Sequence, residues 1–291
     1  MDYIVFDLEW NQPANETQQV LTPVFLTGEI IEIGAVKLNE KFETVDELKL
    51  YIKPQYYTRM HHRIATLTGI SDRTLAEKGE PFPEAYARFA QWCGEDYGFM
   101  TWSDSDLPVL IENMQLHGID ASAMPMTFDA QRMFGRELMW TDRQFSLDAA
   151  LEVLGVTGDK AHDALHDARN TVKVCDRLEL ETYIGEYGSR VFSEPASEKV
   201  YDSVAQILAA PEAAQVVCPW CGETMTCREW VPLNGHRFAA MGSCGEEDEF
   251  LVYLTPLQNP QGGYRISRLL YEMSDDLWDQ YQDKLELQAA N

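Results

Sequence analysis

The stretch MDYIVFDLEW, residues 1–10, is the starting point for predicting the fold of this chain. Its apolar run from Tyr3 to Leu8 is rich in β-forming residues and is long enough for one buried strand. The stretches EIIEIGAVKL at 29–38 and ELKLYIK at 47–53 predict two further strands. Helical and strand patterns then alternate in the order β-β-β-α-β-α-β-α-α. This order predicts an α/β fold, a mixed sheet with flanking helices.

The later elements of this part are predicted from periodicity and turn residues. Residues 98–102 and 126–130 are predicted as strands, and residues 107–116 as a helix. Residues 164–183 are predicted as one long helix, because apolar side chains recur along a single stripe.

The character of the sequence changes after Gly185, which divides the chain into three predicted parts. Residues 1–185 are predicted to form one domain. Residues 186–215 are polar with helical stretches and are interpreted as a helical connector. Residues 216–291 contain four of the six cysteines, a predicted β-hairpin around the turn sequence QNPQGG, and an acidic amphipathic helix at 275–288.

The charge balance limits the class of function. The chain has 23 Lys and Arg against 48 Asp and Glu, a formal net charge of −25. This argues against a protein that coats nucleic acid through a broad basic surface, but not against an enzyme that admits a nucleic-acid end into a local site. The N-terminus does not resemble a signal peptide, and no apolar stretch approaches the roughly 20 residues of a membrane span. We therefore expect a cytoplasmic protein that makes no membrane contact.

Two acids at the end of the first strand are the first candidate metal ligands. Asp7 and Glu9 lie two residues apart, so their side chains share one face of the strand. Carboxylates at the end of an apolar strand are unfavourable unless a group compensates them, and Mg²⁺ or Mn²⁺ is the simplest such group. Two alternatives remain: the acids lie in solvent, or the segment is a phosphatase-type Asp-x-Asp loop, which Glu at position 9 and Trp10 disfavour.

A second acidic block is TWSDSDLPVL, residues 101–110. Asp106 lies at the start of a predicted helix, with Leu110 one turn later on the side facing the core. Asp104 is its competitor. For either acid, capping of the helix N-terminus is the alternative role.

The third block is AHDALHDARNT, residues 161–171. Asp167 lies within a predicted helix. His162 lies near the helix start, and histidine is a suitable general base because an imidazole can both take up and release a proton near neutral pH. His166 is the competing residue. His162 and His166 could instead bind zinc as a pair, although no HExxH motif is present.

Together the three blocks resemble the motifs of the DEDDh 3′–5′ exonucleases, the family of RNase T and of the polymerase III epsilon subunit. Asp7-Leu8-Glu9 is similar to the first motif, Asp106 with Leu110 to the second, and His162-x4-Asp167 to the third. EIIEIGAV at 29–36, ATLTGIS at 65–71 and TFDAQRMF at 127–134 are also similar to that family. The resemblance covers about residues 1–185 and implies an RNase H-like fold.

The resemblance also implies a mechanism. Asp7, Glu9, Asp106 and Asp167 would hold two Mg²⁺ or Mn²⁺ ions, with Asp7 bridging, and His162 would take a proton from the attacking water. One ion would generate the nucleophile and the other would stabilise the leaving 3′ oxygen. The expected activity is removal of nucleoside 5′-monophosphates from the 3′ end of single-stranded RNA or DNA.

Two features bear on the finer assignment. The second motif departs from the family, since WSDS at 102–105 stands where many members carry His-Asn, and this leaves Asp104 as an alternative to Asp106. The opening DLEWNQ at 7–12 is most similar to RNA-trimming, Eri-1-like or KapD-like members and favours RNA. A DNA-directed proofreading or repair exonuclease is the alternative, as is an inactive binding protein, which the complete set of five residues disfavours.

Substrate contacts are expected from two places. Leu8 and Trp10 flank Glu9 and could stack on the terminal base, with core packing as the alternative. Residues 49–75 carry five Lys and Arg against one acid. Arg59 and Arg63 are the candidates there for phosphate contacts, with a solvated charged face as the alternative.

The C-terminal cysteines predict a small zinc-ribbon-like β module. Cys218-Pro-Trp-Cys221-Gly is a zinc-knuckle pattern, and Cys244-Gly is similar to a second knuckle. Position 247 is Glu where a complete motif would place Cys or His, so Cys227 and His236 are the alternatives for the fourth ligand. We expect one structural Zn²⁺, with a degenerate ribbon that folds without metal as the alternative. Such a module would serve substrate choice or docking of a protein partner.

Overall fold

The computed structural model describes residues 1–15, 18–194, 197–233, 237–245 and 248–289. The chain forms two compact units. Unit 1 comprises residues 1–120 and 125–185, and unit 2 comprises residues 121–124 and 186–291.

Unit 1 is built on a mixed β-sheet. Its strands are β1 (Asp2–Asn11), β2 (Glu29–Leu38), β3 (Thr44–Tyr51), β4 (Tyr97–Thr101) and β5 (Ala123–Asp129). The strands lie in the order β3-β2-β1-β4-β5. β1 pairs antiparallel with β2 and parallel with β4, while β4 pairs parallel with β5. The predicted mixed sheet is therefore confirmed.

The helices of unit 1 follow the capping signals of the sequence. They are α1 (His62–Thr68), α2 (Asp72–Lys78), α3 (Phe82–Cys93), α4 (Asp106–Leu116), α5 (Ala130–Met133), α6 (Leu147–Leu154), α7 (Ala164–Cys175) and α8 (Leu180–Tyr187), with a π-helical turn at Phe134–Leu138 after α5. Ser71, Ser146 and Asp163 accept hydrogen bonds from the first-turn N–H groups of α2, α6 and α7. Gly155 ends α6 in the left-handed conformation that glycine favours.

The prediction of one helix over residues 164–183 is wrong. The Arg177 and Leu178 N–H groups bind the carbonyls of Val174 and Cys175, three residues back, so the last turn tightens and α7 ends. Leu178 is buried in the connection to α8. Because buried residues continue the apolar stripe past the end of α7, hydrophobic periodicity did not reveal the break.

Aromatic packing holds α3 against the sheet. Phe6 of β1 and Phe99 of β4 lie edge to face with ring centroids 4.9 Å apart, and Phe89 of α3 stacks on Phe99 at 5.9 Å. All three rings are at most 2% exposed. Truncation of a buried Phe to Ala typically costs about 3–5 kcal/mol, so this contact fixes the sheet that carries the acidic residues.

Unit 2 is built mainly from paired β-strands. Its elements are β6 (Ser189–Ser193), α9 (Val204–Ala209), β7 (Gln215–Val217), β8 (Thr224–Thr226), β9 (Val231–Pro232), β10 (Phe238–Cys244), β11 (Asp248–Gln258), β12 (Tyr264–Glu272) and α10 (Asp275–Ala289). Within unit 2 the strands lie in the order β6-β12-β11-β10-β9, while β7 and β8 form a separate hairpin.

Two predictions for this region have different outcomes. The predicted hairpin is confirmed by β11 and β12, joined by a turn in which Asn259 N–H binds the Gly263 carbonyl. Residues 186–215, predicted as a helical connector, contain the strand β6 as well as α9. β6 pairs with β12, and its buried Val191 and Phe192 explain the difference, because a short apolar segment carries little periodicity.

No helix among the described residues is long and apolar enough to cross a membrane.

Candidate active site

The first acidic pair lies at the carboxyl end of β1. β1 pairs in parallel with β4 only over residues 2–5, so Asp7 and Glu9 lie beyond that pairing. In open α/β sheets, sites form at the edge where the carboxyl ends of parallel strands meet. Across the antiparallel pairing with β2, Asp7 faces Gly34 and Glu9 faces Glu32.

Asp106 reaches this edge from the connection after β4. It opens α4, it is 4% exposed, and its Oδ1 accepts a hydrogen bond from Leu8 N–H at 3.0 Å. Ser103, in the preceding turn, has a φ of 85°. The structure thus brings Asp106 to β1. Burial raises the pKa of Asp106, and the charge of its sequence competitor Asp104 raises it further.

The third block supplies Asp167 and His162. The His162 N–H donates to Asp167 Oδ2 at 2.8 Å, and candidate ligand atoms of Glu9, His162 and Asp167 all lie within 4.8 Å of one another. His162 is exposed and has a φ of 64°, a left-handed conformation that is unfavourable for a non-glycine residue. Strain of this kind is concentrated at functional sites. The competing His166 instead lies 3.3 Å from the Lys160 carbonyl.

The loop that carries His162 is held by Asn170 of α7. Asn170 is fully buried, and its Oδ1 accepts a hydrogen bond from Asp159 N–H at 2.7 Å. Its Nδ2 donates to the Asp159 carbonyl at 3.2 Å. Asn170 was not predicted from the sequence, although an uncharged amide in the buried stripe of an amphipathic helix indicates such a role.

The four carboxylates oppose one another's ionisation. Burial raises the pKa of Asp7 well above its usual value, and the charges of Asp106 and Asp167 raise it further. Burial and the charge of Glu32 raise the pKa of Glu9 to about 8. Burial raises the pKa of Asp106 to about 7 despite the hydrogen bond from Leu8, and burial also raises the pKa of Asp167. Such a cluster gains stability from a cation.

The donor set fits divalent cations. When ionised, Asp7, Glu9, Asp106 and Asp167 bear a formal charge of −4, which two divalent ions would offset. All of the donors are oxygen atoms, the ligands that hard cations such as Mg²⁺ and Mn²⁺ prefer. The same four residues are therefore the ones able to hold the metal ions that the sequence predicts.

Close approach of α7 to the sheet depends on a glycine that the sequence analysis did not single out. A Cβ atom at Gly34 of β2 would lie 2.0 Å from Leu165 N and 2.1 Å from the Ala164 carbonyl carbon. Ala164 and Ala168 of α7 are themselves fully buried. Because Gly34 faces Asp7 across the strands, this contact sets the distance between Asp7 and the helix that carries Asp167.

An ion-pair network lies beside the carboxylates and was also missed. Glu32 of β2 is 1% exposed, and its Oε1 lies 3.1 Å from Lys49 Nζ. Lys49 Nζ also lies 2.5 Å from Asp163, the N-cap of α7, and Glu32 Oε1 accepts a hydrogen bond from Ala164 N–H at 2.7 Å. The network ties the start of α7 to β2 and β3. Its signal in the sequence was the acid at position 32, which interrupts the apolar run of residues 30–36.

Asn11, at the end of β1, anchors the basic segment. It is fully buried, and its Nδ2 donates to the carbonyls of Tyr57 and Arg59, each at 2.8 Å. Its Oδ1 accepts a hydrogen bond from His61 N–H at 2.8 Å. The exposed side chains of Arg59 and Arg63 therefore belong to a segment fixed to the strand that carries Asp7 and Glu9.

The two predicted base-stacking residues differ. Leu8 is only 3% exposed, because strand alternation turns its side chain away from the face of Asp7 and Glu9. The prediction that Leu8 contacts substrate is therefore corrected: its backbone N–H positions Asp106. Trp10 is partly exposed and lies against Gly28, at a shift in the β1–β2 register after Glu9.

Three of the four cysteines of unit 2 lie close together. Sγ atoms of Cys218, Cys221 and Cys244 lie within 4.8 Å of one another. Cys227 is not in this group and lies in an apolar cluster, so its prediction as the fourth ligand is corrected. The alternative fourth ligand, His236, and Glu247 lie outside the described residues.

Solved structures with the same fold are nucleases. The nuclease domain of 3′hExo, a DEDDh family member bound to rAMP, is 22% identical and has a TM-score of 0.52 over 62% of this chain and 92% of that chain. Cell-death related nuclease 4 is 18% identical, with a TM-score of 0.53 over 68% of this chain and 69% of that one. Exonuclease I of E. coli with a dT13 oligonucleotide is 15% identical, with a TM-score of 0.51 over 82% and 55% of the two chains.

Family membership follows from the sequence. No curated protein sequence matches the chain significantly. The RNase T family model, described as an exonuclease, matches residues 4–175, well over half of the chain. Within this range lie all five residues of the DEDDh motifs that the structure draws together. The chain therefore belongs to the RNase T family of DEDDh exonucleases.

Proposed function

We propose that the chain is a metal-dependent 3′–5′ exonuclease that removes nucleoside 5′-monophosphates from single-stranded ends, with a preference for RNA. The observation that carries this proposal is the convergence of Asp7, Glu9, Asp106 and Asp167 at one sheet edge, with His162 beside them. A nuclease that has lost activity would not need to keep repelling acids in a buried cluster.

Two ions held by these carboxylates would supply positive charge to the attacking and leaving oxygens of the scissile phosphate. The protein's own contribution is positioning. The hydrogen bonds from Leu8 N–H to Asp106 and from His162 N–H to Asp167 fix the two acids that come from outside β1. His162 is exposed on a loop held by Asn170, so its imidazole can take a proton from an attacking water.

Substrate binding is assigned to the surroundings of Asn11. Arg59 and Arg63 would contact phosphates, and Trp10 would stack on the terminal base. The net charge of −25 disfavours binding along a long strand, so the enzyme should act at strand ends. Its affinity for nucleic acid should fall quickly as the salt concentration rises. The similarity of DLEWNQ, residues 7–12, to RNA-trimming members of the family favours RNA as the substrate. The 3′hExo domain, a structural neighbour, was solved with rAMP.

The test uses single-stranded RNA and DNA of one sequence, each labelled at the 5′ end, incubated with Mn²⁺. A 3′–5′ exonuclease gives a ladder of progressively shorter labelled products, while attack from the 5′ end releases the label at once. Asp106→Asn should reduce the rate on the order of 10³-fold or more, with Asp104→Asn as the matched control. Full activity in Asp106→Asn would contradict the assigned site, and early release of the label would contradict the direction.

A DNA-directed exonuclease is the second candidate, because E. coli exonuclease I, which has the same fold, was solved with a DNA oligonucleotide. The ratio of the initial rates on the two labelled substrates separates the candidates. A rate on DNA above that on RNA at equal salt would replace the preference proposed above, while leaving the active site assignment intact.

A further inference from the structure

A turn in unit 2 presents two thiols to the same point. Between β7 and β8 the chain reads Cys218-Pro-Trp-Cys221-Gly222. Cys218 N–H binds the Glu223 carbonyl at 2.8 Å, and Gly222 N–H binds the Cys218 carbonyl at 3.0 Å. Gly222 has a φ of 77°, a conformation that a side chain would disfavour. The turn is therefore closed by its own backbone and leaves both thiols on one side.

A third thiol arrives from a separate strand. Cys244 is the last residue of β10, and Gly245 after it has a φ of 71°, which repeats the Cys-Gly turn of the first pair. Cys244 Sγ lies 3.2 Å from Cys221 Sγ, and the Sγ atoms of all three cysteines lie within 4.8 Å of one another. Three thiols from two segments thus share one small volume.

Two simpler explanations fit this cluster less well. A Cys221–Cys244 disulfide would have an S–S length of about 2.05 Å and would leave Cys218 beside it without a role. Apolar packing accounts for Cys218, which is 1% exposed, but not for Cys221, which is exposed. Grouped thiolates are instead the ligand set of zinc, whose tetrahedral sites use Cys sulfur in such turns.

We infer that Cys218, Cys221 and Cys244 bind one Zn²⁺ as thiolates, independently of the exonuclease site. Binding replaces the three thiol protons, which pass to solvent, with no change of oxidation state. The ion would tie the β7–β8 turn to the end of β10. Each strand of this hairpin has only three residues, and an isolated hairpin of that size is marginally stable, so the metal contributes its binding free energy to this part of unit 2.

The metal content of the chain of residues 1–291 tests the inference. Because zinc could also occupy the carboxylates, every protein carries Asp7→Asn and Asp106→Asn. After exposure to Zn²⁺ and exhaustive dialysis, this background should retain about one equivalent of zinc. Separate Cys218→Ser, Cys221→Ser and Cys244→Ser changes should each lower the retained zinc at least several-fold. Cys227→Ser is the matched control, since Cys227 is a buried cysteine of the same unit outside the cluster, and it should retain the metal.

A second measurement does not require the Cys→Ser variants to fold, because it uses the background protein alone. Titration of Co²⁺ into the reduced metal-free background should produce thiolate-to-metal charge-transfer absorption that saturates at about one equivalent and is displaced by Zn²⁺. Absence of that absorption together with absence of zinc would overturn the inference. A mass two hydrogens below that of the reduced chain, with no metal bound, would assign the cluster to a disulfide. Loss of zinc in Cys227→Ser to the same extent would contradict the three-thiol site.

Discussion

The carboxylate cluster of unit 1 and the cysteine cluster of unit 2 both gather side chains able to bind metal ions from distant segments, but the fold holds them differently. Asp106 and Asp167 are fixed by hydrogen bonds from Leu8 N–H and His162 N–H and stand on helices packed against a buried sheet. Cys218 and Cys221 stand on a turn between two strands of three residues each.

The two clusters therefore differ in the source of the free energy that holds their side chains together. Hydrophobic packing of unit 1 forces the acids together whether or not metal is bound, at a cost that the raised pKa values of Asp7 and Glu9 reveal. In unit 2, the metal itself would hold two thin segments together. Removal of a carboxylate ligand should therefore stabilise the metal-free protein, whereas removal of a thiolate ligand should destabilise the zinc-loaded protein.

Among substitutions outside the acids themselves, the largest effect on activity should come from the packing that forces the acids together. In Gly34→Ala, the new methyl group meets the backbone of Ala164 and Leu165 at about 2 Å, so α7 must move away from β2. Because a displacement of about 1 Å at a catalytic site can reduce the rate 10²-fold, we expect at least that loss in kcat/KM. Thermal unfolding should show a lower Tm as well.

Gly185→Ala is the control for this substitution, because a Cβ atom there has no heavy atom within 4 Å and the residue lies in α8. It should keep wild-type activity. Unchanged kcat/KM in Gly34→Ala would mean that the placement of Asp167 does not depend on this contact, and the contrast between the two clusters would lose its basis.

Gly34 also marks the limit of what the sequence could predict. Asp7, Glu9, Asp106, His162 and Asp167 are identifiable because their residue types and spacing match the three motifs of the DEDDh family. Glu32 and Asn170 stand out as polar residues at positions that the pattern makes buried, but the sequence does not show which partners they bind. Glu32 accepts a hydrogen bond from Ala164 N–H, which lies 132 residues away in the chain, so no local pattern identifies this contact. In unit 2 the knuckle turn was readable from Cys218 and Cys221, whereas the position of Cys227 depended on which face of a short strand packs inward.

The second effect concerns the stability of the metal-free protein, which the buried carboxylate cluster lowers. The pKa of Asp106 is raised to about 7 in the folded protein, so the folded state binds more protons than the unfolded state between the two pKa values. Stability of the metal-free protein should therefore fall as pH rises from about 4 to about 7, by on the order of a few kcal/mol for this one group.

Asp106→Asn should remove much of that pH dependence and raise the Tm of the metal-free protein at neutral pH, while Asn can still accept the hydrogen bond from Leu8. Calorimetry at pH 4 and pH 7.5 without metal measures both effects. If the substitution lowers Tm equally at the two pH values, the acids are not mutually destabilising, and the proposed contrast with the thiols fails.

A smaller effect should follow from the ion pairs beside the cluster. Lys49→Met leaves Glu32 buried without its cation and frees Asp163 at the start of α7. Since Lys49 and Asp163 are partly exposed, we expect about 2 kcal/mol of destabilisation, below the 3–5 kcal/mol of a fully buried pair. The affinity for Mn²⁺ should also fall, so the Mn²⁺ concentration that gives half-maximal activity should rise about 10-fold.

The matched control is the double variant Lys49→Met with Glu32→Gln, which removes the stranded charge. It should recover part of the lost free energy of unfolding in urea titrations. Equal stability of the single and double variants would show that Glu32 needs no compensating cation.

The smallest effect is expected at the basic segment, residues 49–75, which is proposed to bind substrate and not metal. Arg59→Ala and Arg63→Ala each remove one exposed positive charge from the segment that Asn11 fixes to β1. If each contacts a phosphate of the single strand, KM should rise several-fold with kcat unchanged, and the slope of log kcat/KM against log salt should become shallower by about 0.7 per contact, provided that KM reports binding.

Arg73→Ala is the control, because Arg73 pairs with Glu77 one turn away on α2. A fall in kcat rather than a rise in KM would instead assign Arg59 or Arg63 to the positioning of the carboxylate cluster. An unchanged salt slope in both variants would mean that the nucleic acid reaches the acids by another route.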